Sequence, residues 1–562
     1  MSHHNKHAKF ENFIFSILGS KTKKTIVILG TLFALAASVM MLPTKLVLAK
    51  MLPGKSANTF SIYVDTPNGT SINQTEQVSQ CVSAIMQKEK AVTDIEIFLG
   101  SGAPLDYAGL VKGSGMKMGE EYAEIVINLT DKHTRDEKSF TMVQRLRPII
   151  NNECSNIVKD TSIKFVEMPA GPPTMADIVV EVFGDNAQKL REISNEVKNI
   201  LASTQGLVDV DVMSDEIYST YQLTPIKEKI SRSGLSVEQV NQILYLAFEG
   251  MTVAAKDTIK ANKQIGIFVS LSEKSQTIDT KNLTNLKNKL SSLNLMNQKG
   301  MMVPLTEVVE IKEINSSPKI YHKDLKQMIN VVATTDMVSQ VYPLLDSRDK
   351  MIAYFSNKYD VKKVDGITTY MFDLILKDKR SGEKYLLRFD GEMKVTLDTF
   401  RDLGGAFIAA LILIFLLLVI YYKSFAISGI ILAGSFLSII GVIVGHWVAD
   451  IVTSETFFLT ATSLIGFIAL MGISSRNSLL LIDFTRSLIN DGIEKQRAIA
   501  IASNTRAKPI MLTAIAIILG SALLASDPVF GGLGVALISG TVAAVIVSLI
   551  FIPVLMDNSK AI

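Results

Sequence analysis

The chain has 562 residues, too many for one small domain, and its 48% apolar and 20% charged residues are in the range of an ordinary folded protein. A mean hydropathy of +0.30 is not, because the apolar residues collect after position 404 while 53–392 is polar and well mixed; this excludes a purely soluble chain and a disordered one. Fifty-seven Lys and Arg against 54 Asp and Glu leave a net charge of +3, too balanced for nucleic-acid binding, and the two cysteines are too few for a disulfide scaffold or a CxxC metal site.

In chain order, Phe10, Phe13, Phe15 and Leu18 beside Lys9 and Glu11 read either as an interfacial helix or as the start of the next segment. Residues 25–42 follow Lys21, Lys23 and Lys24 and are long and apolar enough for a membrane span. Pro43, Lys45 and Lys50 occupy the place where a signal peptidase would cut, so a retained span is expected over 25–43, after a cytoplasmic or interfacial segment 1–24.

Residues 44–172 alternate strand and helix signals: strand 59–64, helix 71–88, strands 94–98 and 121–129, helix 140–153, strand 162–167. That βαββαβ order predicts an antiparallel sheet with two helices on one face. Cys81 and Cys154 fall one on each helix, or at a helix end. The spacing alone does not bring their Cα atoms within about 7 Å, and two unlinked thiols are expected. After the punctuation of Pro169-Ala-Gly-Pro-Pro173 the pattern restarts with strand 177–183, helix 187–203 and strand 206–213. Its second half, strand 326–334 and helix 338–357, is delayed. The second unit is therefore expected as 173–217 plus 318–400, interrupted by an insertion at 218–317.

Five further spans are expected within 401–556, at 407–422, 426–448, 457–484, 509–525 and 529–556, with a tail at 557–562. Lys423, Arg486, Lys495, Arg497, Arg506 and Lys508 fall on the side that also holds Lys21, Lys23 and Lys24, while the opposite loops near 450–455 and 527 carry no Lys or Arg. The positive-inside rule then places both termini in the cytoplasm and 44–400 outside it. The expected fold class is an α-helical membrane protein of six spans with a large exported α+β region of two ferredoxin-like βαβ units, the second carrying the insertion.

No catalytic or phosphate-binding motif is present, and Gly100-Ser-Gly102 and Gly113-Ser-Gly115 read as turns. Met116, Met118 and Met168 are a soft thioether set that could take Cu(I) or Ag(I), although packing is the commoner use of methionine. The most informative residue is Arg476, near the middle of the fourth span, where a cation costs at least ~2.5–3.5 kcal/mol and calls for a partner. The alternative is a span that ends at Ser475 with Arg476 reaching to the interface, but the apolar run 479–482 would then be stranded.

Around Arg476, the run Gly472-Ile-Ser-Ser-Arg-Asn-Ser-Leu-Leu-Leu-Ile-Asp-Phe484 resembles the fourth-span motif in the C-terminal half of resistance-nodulation-division (RND) efflux transporters of the acriflavine-resistance type. Arg506-Ala-Lys-Pro-Ile-Met-Leu-Thr513 resembles the next span's entrance, 532–553 the last span, and Met51-Leu-Pro-Gly54 and Pro67-Asn-Gly-Thr70 the segment after the first. Gly234-Leu-Ser-Val-Glu-Gln-Val240 and Met302-Val-Pro-Leu-Thr306 are similar to the docking subdomain of that family. The order of these motifs over residues 10–556 carries the resemblance.

The resemblance implies one half of a proton-driven pump for amphiphilic or xenobiotic compounds in a bacterial inner membrane. It needs no cofactor beyond the proton gradient, and it is not an enzyme. Implied partners are membrane lipid, an N-terminal-half subunit, a periplasmic adaptor and an outer-membrane channel, in a trimeric assembly. It assigns Arg476, Asn477, Arg506 and Thr513 to proton coupling, with Asp483 as the carboxylate within the fourth span. Arginine stands where the family has lysine, and no membrane-buried aspartate pair is present. Phe98 and Phe165 are the nearest counterparts of an aromatic substrate pocket that is otherwise sparse here. Alternatives are a metal-ion efflux subunit resting on the three methionines, and a protein-translocation accessory with the same six-span plan.

Overall fold

The computed structural model describes residues 2–562 except 55, 105, 169–170, 172–173, 215–216, 260–263, 272–282, 337–338, 365–371 and 454–455, and in 2–8, 107–108 and 116 the backbone only. The proline punctuation at 169–173 and the start of helix 338–357 thus fall largely outside the described residues. Helices α1 (Ser2–Leu18) and α2 (Lys21–Met40) open the chain, the second capped by the Ser20 hydroxyl. Glu11 and Phe15 of α1 meet Arg497, at 2.7 Å for the ion pair and 5.5 Å for the ring, so this helix packs on the later helices.

Alternating apolar residues then build a first sheet from β1 (Thr59–Asp65), β2 (Val92–Ser101), β3 (Met118–Leu129) and β4 (Ser162–Glu167), in the order β2-β3-β1-β4 with antiparallel neighbours. Ile62 pairs with Ile125 and with Phe165, which fixes which side chains face the core. Helices α3 (Ile72–Met86) and α5 (Ser139–Cys154) contribute Val78, Val82, Leu146 and Ile150 to that core; the short α4 (Tyr107–Lys112) lies between β2 and β3. Because α3 and α5 lie side by side, Cys81 and Cys154 come to a Cα–Cα distance of 5.7 Å and form a disulfide. The expectation of unlinked thiols is thereby corrected: helix packing, invisible in the spacing, brings them together.

The second sheet starts with β5 (Ile178–Phe183), all six residues buried, followed by α6 (Ala187–Ala202) and β6 (Leu207–Met213). The chain then enters a separate compact unit, 215–319. In it β7 (Ser219–Pro225) pairs antiparallel with β12 (Val309–Asn315), around helices α7 (Lys227–Arg232), α8 (Val237–Phe248), α9 (Leu283–Ser292) and α10 (Leu305–Val308). Strands β8 (Met251–Lys256) and β9 (Ile265–Val269) form a hairpin, β10 (Asn294–Met296) and β11 (Met302–Pro304) another pair, and Ile230, Val240, Leu290 and Leu305 form the unit's own core.

On return come β13 (Tyr321–Lys323), β14 (Lys326–Thr335), α11 (Val341–Phe355), β15 (Tyr359–Lys363), β16 (Leu374–Asp378) and β17 (Lys384–Asp390). The sheet order is β13-β14-β5-β17-β16-β15, with β6 on β14. Strands β6-β14-β5-β17 repeat the arrangement of the first sheet, and β15 to β17 are elements the sequence reading did not anticipate. Strand β17 runs through Gly391 directly into α12 (Glu392–Tyr422), which therefore begins 15 residues before the lipid-length stretch predicted at 407.

The remaining helices are α13 (Phe425–Phe436), α14 (Ile439–Val452), α15 (Ala461–Asn490), α16 (Lys495–Ala525), α17 (Gly531–Ile546) and α18 (Ile552–Asn558). The expected third span is thus two helices, α13 and α14. Pro509, expected as an entrance, sits inside α16, where only one intrahelical hydrogen bond is forfeited. A π-helical turn, Val547–Phe551, joins α17 to α18. Among the described residues, six helical segments are long and apolar enough to cross a membrane.

The disulfide closes a sequence separation of 73 residues, for which chain entropy gives roughly 4 kcal/mol of stabilisation. Thiol labelling of the denatured, unreduced chain should detect no free thiol, and labelling after reduction should detect both. Cys81→Ser should lower the thermal midpoint of the first sheet and its helices to the value reached by reduction alone.

Candidate functional site

Helix α15 starts at a capping box in which Thr460 and Ser463 satisfy each other's backbone N–H. Its rotation is set by one polar, tightly packed face: Ser474, Asn477, Ser478 and Leu481 are all buried. Arg476 lies halfway along the helix and points the other way. It is exposed, on the same stripe as Ile465, Gly472 and Leu480. Among the described residues it makes no hydrogen bond or ion pair. A hypothetical Cβ on Gly472 would meet nothing within 4 Å, so the surface beside Arg476 is open.

The other residues predicted for proton coupling sit nearby on α15 and α16 but are not joined. Asp483 accepts a 2.6 Å hydrogen bond from the Tyr422 hydroxyl at the end of α12, and the Arg486 guanidinium lies 5.8 Å from the Tyr422 ring. Arg506 stacks 4.8 Å over Phe484 and leaves its Nε buried without a partner. Thr513 donates to the Pro509 carbonyl one turn back, at 2.5 Å. Asn477 turns toward the bundle interior. Among the described residues no hydrogen bond or ion pair links any two of Arg476, Asn477, Asp483, Arg506 and Thr513.

The two sheets meet along a polar seam between β4 and β6. Lys164 bridges Asp65, at 2.9 Å, and Asp211; Arg147 bridges Asp209 at 3.2 Å and Asp336 at 3.1 Å. Burial pushes the Asp65 carboxyl up, but Lys164 and Lys117 more than offset this and hold it below the ordinary range. Burial dominates at Asp209 and raises it despite Arg147. Phe165 is buried in this seam, its ring 5.2 Å from the Arg147 guanidinium and its N–H 3.2 Å from Asp209. Phe98, on β2, pairs with Glu124 across β3 and is only partly buried. The two phenylalanines therefore do not line one pocket. A cavity of about 10 Å³, room for a single water, lies near Tyr63, Lys117, Tyr122 and Glu124.

Met118 opens β3 and Met168 follows β4; those strands run parallel on either side of β1, so the two residues lie at opposite ends of the sheet. At about 3.3 Å per residue they are roughly 20 Å or more apart and do not share an ion. The Met116 side chain lies outside the described residues. Among the described residues no group of three His, Cys, Asp or Glu is placed to hold a metal.

Sequence reasoning passed over three features: the seam cations Lys164 and Arg147, the junction at Gly391, and His446. The last had a legible signal, since an ionisable residue inside an apolar span is a functional candidate by default. His446 is fully buried.

A family model described as AcrB/AcrD/AcrF matches residues 2–347 and 374–557. The chain is 23% identical over 534 residues to the swarming motility protein SwrC of Bacillus subtilis, covering 93% of this chain and 44% of SwrC. It is 22% identical over 519 residues to the multidrug/solvent efflux pump membrane transporter MepB of Pseudomonas putida, covering 89% and 44%. A crystal structure of a heavy metal efflux pump superposes with a TM-score of 0.71 at 16% identity, over 100% of this chain and 53% of that one. The chain spans about half the length of the relatives it matches.

Glu167, at the end of β4, has its Oε1 buried without a partner, and burial pushes its carboxyl up from 4.5 to about 7. A raised carboxyl favours the folded state below pH 4.5, and that contribution is lost as pH rises through about 7. Thermal unfolding in detergent should therefore show wild type losing up to about 3 kcal/mol of stability between about pH 5 and pH 8. Glu167→Gln should lose correspondingly less over the same range.

Proposed function

The chain belongs to the AcrB/AcrD/AcrF family, and on that premise we propose that it is one half, resembling the C-terminal one, of a proton-driven RND efflux transporter for amphiphilic compounds. It is a transporter component and not an enzyme. In this reading the six apolar segments cross a bacterial inner membrane with both termini in the cytoplasm. The two βαββαβ sheets form the exported ferredoxin-like porter units, and 218–317 is the docking-type insertion. A second six-span half carrying the acidic residues of the relay completes the membrane domain, and the assembly works as a trimer with a periplasmic adaptor and an outer-membrane channel.

The observation that carries the reading is Arg476, exposed at mid-span with no partner among the described residues. A lone guanidinium in hydrocarbon is unfavourable by several kcal/mol, so the face that bears it calls for a helix with a carboxylate. Arginine stays charged at any relevant pH, so the proton itself moves on and off that carboxylate. A nearby cation lowers the carboxylate's pKa, and protonation weakens the pairing and frees the helices to shift. Arg506 and Thr513, on the adjoining α16, are placed to modulate that pairing, while Asp483 is engaged by Tyr422.

Metal-ion export is the competing substrate class, since the fold neighbour is a heavy metal efflux pump. The separation of Met118 from Met168 supports the amphiphile reading over it. The test is accumulation of an amphiphilic dye, and separately of nickel and cobalt, in cells supplying a second half with an aspartate pair. Arg476→Ala should abolish dye efflux at equal expression, and Arg476→Lys should retain a measurable fraction. Normal pumping by Arg476→Ala would remove Arg476 from the relay, no dye efflux by wild type would sink the efflux reading, and protection against metal alone would transfer it to metal export.

A further inference from the structure

The bundle holds a second polar site that the Arg476 relay does not use. His446 of α14 has no exposed surface, its Nδ1 2.8 Å from the Val442 carbonyl and its Nε2 2.8 Å from the Ser463 hydroxyl. A carbonyl can only accept, so Nδ1 carries the proton and Ser463 donates to Nε2. Behind Ser463 the hydroxyls continue in series. Thr460 Oγ1 lies 3.0 Å from Ser463 Oγ and 2.8 Å from Thr462 Oγ1, and Thr462 donates to the Val529 carbonyl at 3.2 Å. All three are buried, whereas residues 526–528 of the turn leading to Val529 are exposed. A Cβ on Gly532 would stand 2.3 Å from Thr460 Oγ1 and 2.4 Å from Ser463 Oγ, so the hydroxyls occupy space that a bare backbone leaves them.

Anchoring an imidazole needs one hydroxyl; three in series, ending at an exposed turn, make a route. We propose that His446 is a proton-loading site of the membrane bundle, reached from the exported side through Thr462, Thr460 and Ser463. The assignment of that side rests on the orientation proposed above. The Thr462 hydroxyl first turns from the Val529 carbonyl to Thr460; a proton arriving at Thr462 then displaces that hydroxyl's own proton to Thr460, Thr460 passes one to Ser463, and Ser463 passes one to Nε2. One proton enters, one imidazolium forms, and each hydroxyl ends with the proton count it began with. The imidazolium then donates from both nitrogens to partners already in place. The Phe457 ring lies 5.6 Å away, tilted by 56° to the imidazole.

The charged groups on the surrounding elements are few. On α14 itself Asp450 accepts the Phe457 N–H at 2.7 Å. Lys50 lies over the Phe458 ring at 5.6 Å, and Asp527 in the 526–530 turn holds the N–H groups of Val529 and Phe530 at 2.8 and 2.7 Å. The first three turns of α15 and all of α17 carry no titratable side chain. The next hydroxyl pair on the same two spans, Ser435 and Ser475 at 2.8 Å, lies about three turns deeper, beside Arg476.

The test is ¹⁵N spectroscopy of the full chain in lipid nanodiscs, with His446→Asn assigning its signals among the 6 histidines. The ring should be the Nδ1–H tautomer under alkaline conditions and convert to imidazolium on acidification. Ser463→Ala should slow solvent exchange of the imidazolium Nε2 proton about tenfold or more in acid, and Ser463→Thr should restore it. A ring that stays neutral throughout, or an exchange rate that Ser463→Ala leaves unchanged, overturns the proposal and makes His446 a structural tie. The readout needs no transport, so a His446 that loads while wild type exports no dye would remove the efflux reading and leave this site standing.

Discussion

A charge in hydrocarbon must find an opposite charge, and that constraint organises the membrane half of this protein. Every other strongly polar side chain considered in the bundle has a contact of its own or is turned to the interior. Asp483 is held by Tyr422, Arg506 rests on Phe484, and His446 lies between Val442 and Ser463. Arg476 is the exception, and its direction is not accidental. Ser474, Asn477 and Ser478 occupy the opposite side of the same turns, packed where Gly434 leaves room for the Ser478 hydroxyl. Rotating α15 to hide Arg476 would drive those small polar residues into lipid, so the helix is locked with its cation outward.

The two sheets obey a different rule. Each has its own apolar core, and what joins them is charge: Lys164 and Arg147 on one side, Asp209, Asp211 and Asp336 on the other. Apolar burial fuses modules permanently, whereas a buried ionic seam gives register with little net adhesion. The helical part is tied to the second sheet at one point. Strand β17 passes into α12 through Gly391, whose φ of +92° and whose missing Cβ, 2.6 Å from the Ala176 carbonyl, admit only glycine. The first N–H groups of α12 are satisfied by the Ala176 and Asp177 carbonyls at 3.1 and 3.0 Å, so the helix end and the start of β5 move as one piece.

Much of this was legible beforehand, for physical reasons that differ by element. Alternation exposed β1, β3 and β5 because one or both faces are buried, and hydropathy exposed the spans because lipid tolerates little else. Strands β15 to β17 escaped notice because their buried residues, Leu374, Leu376, Tyr385, Leu387 and Phe389, are interleaved with Lys, Asp and Arg in short runs. The disulfide was misread because chain spacing carries no information on how α3 and α5 pack. The site was half legible. Arg476 announced itself by depth, but its outward direction depends on which face of α15 is better packed, which a hydropathy profile averages away.

The outward cation also constrains what can complete the bundle. A second copy of this chain docking by the same face would set Arg476 against Arg476 in a low-dielectric setting, and two unit charges a few ångströms apart there repel by several kcal/mol. Lipid headgroups lie too far from mid-span for the side chain to reach without bending the helix or thinning the bilayer. A helix carrying a carboxylate at matching depth removes the penalty and adds a charge-assisted, bidentate contact. In the pairing proposed above, arginine is fixed in its charge state and all the proton dependence of the contact passes to the acidic partner. On that proposal this chain supplies the constant half of the pairing, the counter-charge against which a titrating group elsewhere is measured.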